Sequence, residues 1–284
     1  MFEATVIEHS INPSGQELVT FQLVYPRFIH SELMTHRVFS RNAMSSRAVP
    51  IAKMLQQVRE NPATPVHWGV NQPGMQAHTQ LEGVALEQTQ ALWLLAARNA
   101  ADIAEKMADQ GVHKQIANRI LEPYQWMRAI VSATEWVNWD ELRIHPDAEP
   151  NIHKLASMMC ESRRNSPARM VEVGEDFTAN WHLPYVSAAE RERFPSDPWF
   201  LAAVSAARCA RVSYLTHDGT APDVEKDLAL YKRLVGSRPM HASPVEHQAT
   251  PIKMQERSNN FVGWRQFRQI IETAAADRLQ ESLF

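Results

Sequence analysis

The stretch THRVFSRNAMSSR, Thr35 to Arg47, places one histidine, three arginines and three serines within thirteen residues. Guanidinium forks match the oxygens of phosphates, and serine hydroxyls with backbone N–H groups fill the acceptors that remain. Arg37, Arg41, Ser45, Ser46 and Arg47 offer that set. On its own, an arginine-rich turn is more often a solvated charged face than a site. Serine catalysis is the weaker idea, because Ser45 has no histidine at an activating spacing and no glycine elbow around it. Immediately upstream, Ile29, Leu33, His36 and Arg37 fall on successive helical turns after Pro26, so the motif sits at a helix end. Further back, β-branched and aromatic residues alternate at Thr5–Ile7 and Val19–Tyr25 around the turn signal NPSG, which predicts a hairpin.

The bulk of the chain is ordinary. It has 284 residues, 44% hydrophobic content, a formal charge of -3 and a pI near 6.5. A real core is possible, and any affinity for phosphate or nucleic acid must be local, so compact anionic ligands fit better than a duplex. Two cysteines, Cys160 and Cys209, cannot build a disulfide framework and lack a zinc spacing, which points to a reducing cytoplasm. Neither a signal peptide nor a membrane-length apolar run is expected.

Downstream, NPATPVHWGVNQPGMQ (61–76) reads as a long surface loop. A long alanine-rich helix follows and stops at Gly111, with Leu92, Ala96, Ile103 and Met107 forming a stripe expected to be core. HKQIANRIL and AIVSATEWVNWDELR form a second predicted helix pair, in which Arg119 and Arg143 need partners. Residues 157–199 turn charged and proline-punctuated and predict an irregular surface excursion, where a domain boundary is possible. Helices resume at FLAAVSAARCARVSY and DVEKDLALYKRLV. The loop RPMHASPVEHQATP then gathers His241, Ser243, Glu246 and His247. The spacing of its histidines does not match a zinc helix and a third ligand is missing, so hydrogen-bonding roles are favoured and no metal is expected. For His67, His113 and His182 a surface or satisfied-core role is the default.

Together these blocks resemble the flavin-dependent thymidylate synthases. The family signature is Arg-His-Arg, seven residues, then Ser, with Asn-Glu before the Ser and an Arg two residues after it. Here it reads Thr35-His36-Arg37, seven residues, Ser45, with Asn42 before it and Arg47 after it. The lead-in TFQLVYPRFIHSELM, the loop HASPVEH, the helix end AARCARVSY and the block NWDELRIHPDAEPNIHKLA are similar to further family segments. Their order differs, since the ARVSY and HASPVEH types precede the signature in the family and follow it here. Circular permutation is the simplest account. Three positions depart from the pattern: Thr35 replaces the first signature Arg, Ala43 the Glu, and Glu32 a Gln. NNFVGWRQFRQ faintly echoes the helix before the signature, so Arg265 or Arg268 could supply the missing guanidinium, with Trp264 and Phe267 packing on the core as the bland alternative.

The resemblance implies one permuted mixed α/β domain over 1–284, with a mixed sheet flanked by helices, an insertion at about 157–199 and a tail at 253–284. It implies methylation of dUMP to dTMP with FAD as cofactor, and NADPH and methylenetetrahydrofolate as co-substrates, in a cytoplasmic homotetramer whose sites lie between subunits. Neither membrane nor nucleic acid is an expected partner. By residue, it assigns His36, Arg37, Asn138, Ser213, His241 and Ser243 to the flavin, and Glu32, Ser45, Arg47, Arg119 and Arg143 to the nucleotide. Arg143 is the catalytic candidate, through contact with the uracil ring; without its block it would be a helix-end arginine complementing the dipole. The changed positions keep two variants open: a pyrimidine hydroxymethylase, in which water ends the methylene transfer, and a synthase acting on dCMP. A rival of another class is a nucleic-acid-binding module built on the arginine-rich turn.

Overall fold

The computed structural model describes residues 1–173, 181–194, 198–214, 223–253 and 255–281. The predicted hairpin forms from β1 (Glu3–Ile11) and β2 (Glu17–Pro26). In its turn the Asn12 side-chain oxygen accepts from the N–H groups of Ser14 and Gln16 at 3.0 and 2.9 Å, and Gly15 takes φ +79°. After a short helix α1 (His30–Met34) the signature runs into β3 (Ser40–Ala43). Helices α2 (Ile51–Glu60), α3 (Gly83–Asp109) and α4 (Lys114–Ala117) lead to β4 (Trp126–Ala133), then α5 (Val137–Arg143), α6 (Pro150–Arg164) and β5 (Arg169–Met170). These strands make one sheet in the order β3-β4-β2-β1-β5, antiparallel except for the β1–β5 pair. The later chain adds α7 (Ala188–Arg193), α8 (Pro198–Tyr214), α9 (Val224–Leu234), the short strands β6 (Ala249–Pro251), β7 (Arg257–Ser258), β8 (Phe261–Val262) and β9 (Trp264–Gln266), and α10 (Phe267–Glu281). The fold is mixed α/β, as the sequence implied.

Strand alternation gives the sheet two unlike faces. Val19, Phe21, Leu23 and Tyr25 of β2, with Met127, Ala129, Val131 and Ala133 of β4, bury against Leu33, Leu55, Ala97, Trp139, Leu155 and Met159. The opposite face carries hydroxyls and amides. Ser40, Ser132 and Thr20 lie side by side across β3, β4 and β2, and the chain after Trp181 covers them. His182 bridges Ser10 (2.9 Å) and Thr20 (2.8 Å), Thr20 meets Ser132 (2.6 Å), and Ser132 meets His247 (2.9 Å), all fully buried except the edge of this chain at Glu8. Ser10 donates to Glu8 at 3.4 Å, and Glu8 is held by Arg169 and Arg191 at 2.8 and 3.0 Å. One direction of donation satisfies the whole row: each group then donates toward Glu8, both histidines are neutral, and only His247 Nε2 lacks a partner.

Three expectations change. The stripe Leu92, Ala96, Ile103, Met107 is not the core stripe of α3: Leu92 is 65% and Ile103 53% exposed, and the buried positions are Ala97, Ala101 and Ala104. Alanines allow the helix backbone to approach α2 closely, and Arg59 of α2 pairs across the exposed edge with Asp102 (2.8 Å) and Glu105 (2.7 Å). Second, the AIVSA part of the second predicted helix is the strand β4. Its β-branched residues sit between β2 and β3, and helix begins only at Val137. Third, 157–199 is not simply a surface excursion. Helix α6 continues to Arg164, and Trp181, His182 and Leu183 are buried, pinned by paired backbone bonds between His182 and Ala249. Residues 174–180 and 195–197 of that segment lie outside the described residues. His182 is the satisfied core histidine that its default role predicted.

Burial holds both row histidines well below their ordinary pKa of 6.5, His247 at about 3. The unfolded chain takes up these protons from pH 6.5 downward and the folded protein does not. Their contribution to stability is therefore complete above pH 6.5 and is lost as the pH falls toward 3, by up to about 1.4 kcal/mol per pH unit for each ring. Urea midpoints measured against pH should show this fall beginning above the carboxylate range. Ser132→Ala, which strips Thr20 and His247 of a shared partner, should cost about 1–3 kcal/mol at neutral pH.

Candidate active site

The signature begins where α1 ends. The Thr35 hydroxyl donates to the Glu32 carbonyl at 2.7 Å, and the Arg41 Nη1 donates to the carbonyls of Met34 (2.8 Å) and His36 (3.1 Å). Arg41 is thus spent on shaping the turn. His36 lies buried, stacked on Phe39 at 5.6 Å with Trp139 edge-on at 4.7 Å. Arg143, the last residue of α5, reaches into this turn: Nε donates to His36 Nε2 (3.0 Å), Nη1 to Glu32 Oε2 (3.3 Å) and Nη2 to Thr35 Oγ1 (3.1 Å). Arginine only donates, so His36 Nε2 must be the acceptor and its proton sits on Nδ1. Burial, then the charges of Arg143 and Arg41, bring the imidazole down to about pKa 4.

Glu32 is shifted the other way. Burial raises its pKa first, the neighbouring Glu149 raises it further, and Arg143 opposes both. Glu149 caps α6, its Oε2 accepting from the N–H groups of Asn151 and Ile152 at 2.8 and 2.9 Å and its Oε1 from the Asn151 side chain. Glu32 and Arg143 open onto a cleft of about 1120 Å³ that also exposes Glu149, His67, Gln76 and Asp147. The predicted surface loop is a folded arm forming the far wall. Its two sides join through Val70 N–H to Thr79 O (2.7 Å), Leu81 N–H to Trp68 O (2.8 Å), and His67 to Ala77 O (2.7 Å). They meet at Gly69, where a Cβ would lie 2.4 Å from Ala77 Cβ.

A second, smaller pocket of about 320 Å³ unites Ser45 and Arg47 with His241 and Ser243, beside Asn42. These groups are distant in sequence and meet through the polar face of the sheet. Ser243 donates to Asn42 Oδ1 (3.4 Å), Asn42 Nδ2 to Cys209 O (2.7 Å), and Gln266 Nε2 to both Ser40 Oγ and Glu246 O (2.9 Å each). The guanidinium of Arg47 has no hydrogen-bond or ion-pair partner among the described residues.

His36, Arg37, Arg119 and Asn138 line neither cavity. Arg37 and Asn138 are exposed. Arg119 is about half exposed and pairs at 3.1 Å with Glu122, which also holds Arg27 (3.0 Å) and Ser46 (3.1 Å). Ser213 belongs to the last turn of α8, and its side chain lies outside the described residues. In the tail Trp264 and Phe267 are buried, as the bland alternative held, although WRQ is a strand and the helix begins at Phe267. Arg268 is committed to Glu246 (2.5 Å) and Glu272 (2.8 Å), and Arg265 is exposed on β9. Sequence reasoning missed Glu149 as a neighbour of Glu32; the Glu-Pro pair that opens a helix was the available signal.

The family described as thymidylate synthase complementing protein matches residues 8–167, more than half of the chain and all of the signature. The chain belongs to this family. Membership makes it an enzyme, a methyltransferase acting on nucleotides. No curated protein matches the chain. Among solved structures, similarity extends to a UMP/dUMP methylase PolB from Streptomyces cacaoi bound with 5-Br UMP, at 16% identity and a TM-score of 0.45, covering 56% of this chain and 87% of that one. A second structure of that methylase, bound with 5-Br dUMP, matches at 21% identity and a TM-score of 0.39, covering 50% of this chain and 64% of the other. The loop from His241 to His247 lies beyond the matched segment and joins the signature only in the folded chain.

The Arg143–His36 contact has a measurable consequence. Replacing Arg143 by Gln removes a neighbouring cation, so the His36 pKa should rise from about 4 but stay below 6.5, because burial remains. NMR titration of the ring protons in both proteins checks this; an unchanged pKa would mean that the two side chains are not in contact.

Proposed function

We propose that the protein methylates dUMP to dTMP, with FAD as cofactor and NADPH and methylenetetrahydrofolate as co-substrates. The observation that carries this reading is the small pocket, where Ser45 and Arg47 of the signature meet His241 and Ser243 of the distant loop. Arg27, Arg41, Arg119 and Arg143 are all engaged within the chain, whereas Arg47 and Arg37 have no partner among the described residues. Unengaged guanidiniums beside hydroxyls suit the anionic parts of a nucleotide or a dinucleotide cofactor. The donor set therefore fits FAD, which when bound would supply the hydride chemistry. In the small pocket His241 and Ser243 would hold it, and the resemblance adds His36, Arg37, Asn138 and Ser213.

The chain's own residues do the rest. Ser45 and Arg47 bind the nucleotide phosphate, and Arg119 lies near enough to the same turn to assist. Arg143, fixed by His36, Glu32 and Thr35, presents its remaining N–H to the pyrimidine ring in the larger cleft. Fixing that donor before the ring arrives removes reorganisation from the reaction itself. Arg37 and Asn138 face outward, and α3 turns Leu92, Leu95 and Ile103 to its open side. Both features support a homotetramer whose subunits complete one another's sites. The inverted order of blocks that nevertheless meet in one pocket supports a permuted chain. Among the described residues no helix is long and apolar enough to cross a membrane, and the reading places the enzyme in the cytoplasm.

The protein should purify yellow or take up FAD on addition. His241→Ala and Arg47→Ala should each weaken FAD or dUMP binding by about one to two powers of ten, the loss of one charge-assisted or pocket hydrogen bond, while unfolding midpoints stay near wild type. Absorbance and calorimetric titrations measure both. A folded wild type that binds no flavin in either redox state defeats the proposal. Colourless protein that binds nucleic acid with steep salt dependence would instead establish the rival class.

A further inference from the structure

Glu32 pairs with Arg143 on the wall of the larger cleft. The resemblance places a carboxamide there, which cannot accept a proton, and this chain places a carboxyl. Its surroundings define what that carboxyl can do. Arg143 Nη1 clamps Oε2 at 3.3 Å, and Arg143 is itself immobilised by His36 and Thr35. Oε1 has no partner among the described residues, and the side chain is about one-third exposed on the wall of the 1120 Å³ cleft, so water reaches it. A second carboxylate at the cleft, Glu149, accepts from the N–H groups that it caps. Partial burial first, and then the neighbouring Glu149, push the Glu32 carboxyl up, with Arg143 opposing both, which makes it a stronger base than a free carboxylate. Of the other cleft groups, Glu149 has both oxygens occupied and His67 is bonded to Ala77 O, while Glu32 is the carboxyl held directly against Arg143.

We propose that Glu32 is a general base that delivers water to the one-carbon unit on the pyrimidine, giving the site a second product, the 5-hydroxymethyl nucleotide. The inference rests on the proposed methylene transfer to C5. Once the one-carbon donor has left, the ring bears an electron-poor exocyclic CH2. A water O–H bond breaks and its proton passes to Glu32 Oε1. The freed electron pair forms the C–O bond to the CH2 carbon, and the CH2=C5 pair returns to the ring. The carbon keeps the oxidation level that the methylene donor gave it, so this branch consumes no reductant, whereas the methyl branch needs a hydride. The same intermediate thus partitions between hydride and water, and the position of Glu32 decides how often water wins.

The test uses the full chain loaded with FAD, dUMP and methylenetetrahydrofolate, in heavy-oxygen water, with and without NADPH, and products weighed by mass spectrometry. The wild type should yield a nucleotide heavier by CH2O that carries the heavy oxygen, formed without NADPH, beside one heavier by CH2 that needs it. Glu32→Gln should lower the ratio of the first product to the second at least about tenfold, the low end of what a general base contributes, and Glu32→Asp should restore part of it. The acid limb of that ratio against pH should vanish in Glu32→Gln. Circular dichroism and urea midpoints confirm that each variant is folded. Methyl product alone from the wild type overturns the inference and leaves the proposed function intact; neither product overturns both. A product ratio unchanged in Glu32→Gln removes Glu32 from the step.

Discussion

The sheet has one face that cannot be left open to an apolar neighbour, and the rest of the structure follows from how it is covered. Ser40, Ser132 and Thr20 sit adjacent on β3, β4 and β2, all fully buried. Buried hydroxyls need partners, and the chain after Trp181 brings them as His182, His247 and Gln266. Those same contacts seat the loop from His241 to Ser243 over Asn42 and Ser45. Polar satisfaction and site assembly are therefore one event. Apolar burial alone would not have fixed the register of the two halves so narrowly, because hydrophobic contact is non-directional.

The arginines show how a mildly acidic protein makes local positive charge specific. Arg41 closes the signature turn on two carbonyls, Arg208 and Arg211 clamp Asp227 between α8 and α9, and Arg27 and Arg119 share Glu122. Arg47, without a partner among the described residues, lines the small pocket, and Arg37 lies exposed in the signature. Arg143 is intermediate: it is bound on three sides yet lines the larger cleft. Its lowered neighbour His36 and raised neighbour Glu32 are pushed in opposite directions by one environment, since burial disfavours both the imidazolium and the carboxylate.

The two cavities differ in kind as well as size. The small pocket is lined by Arg47, His241 and two serines, a setting for oxygen-rich anions. The large cleft is walled by carboxylates, histidines and the chain's own arm at 66–81, and its single guanidinium is already paired.

The hairpin, the helix end carrying the signature, the stop at Gly111 and the two late helices were all legible in the sequence, because local rules govern them: strand alternation, turn chemistry at NPSG, and helix caps. The family was legible too, since its motifs are short runs of named residues. Three features needed the tertiary structure. In α3 the apolar stripe and the buried stripe are different faces, a choice made by the closeness that alanine permits. AIVSA became a strand because two strands were waiting on either side of it, which no local propensity reports. Most of all, His241 and Ser243 reach Ser45 and Arg47 across about two hundred residues through a row of hydrogen bonds on a sheet face. Sequence names the groups that can bind an anion; only the folded chain decides which of them are left without a partner and which stand together.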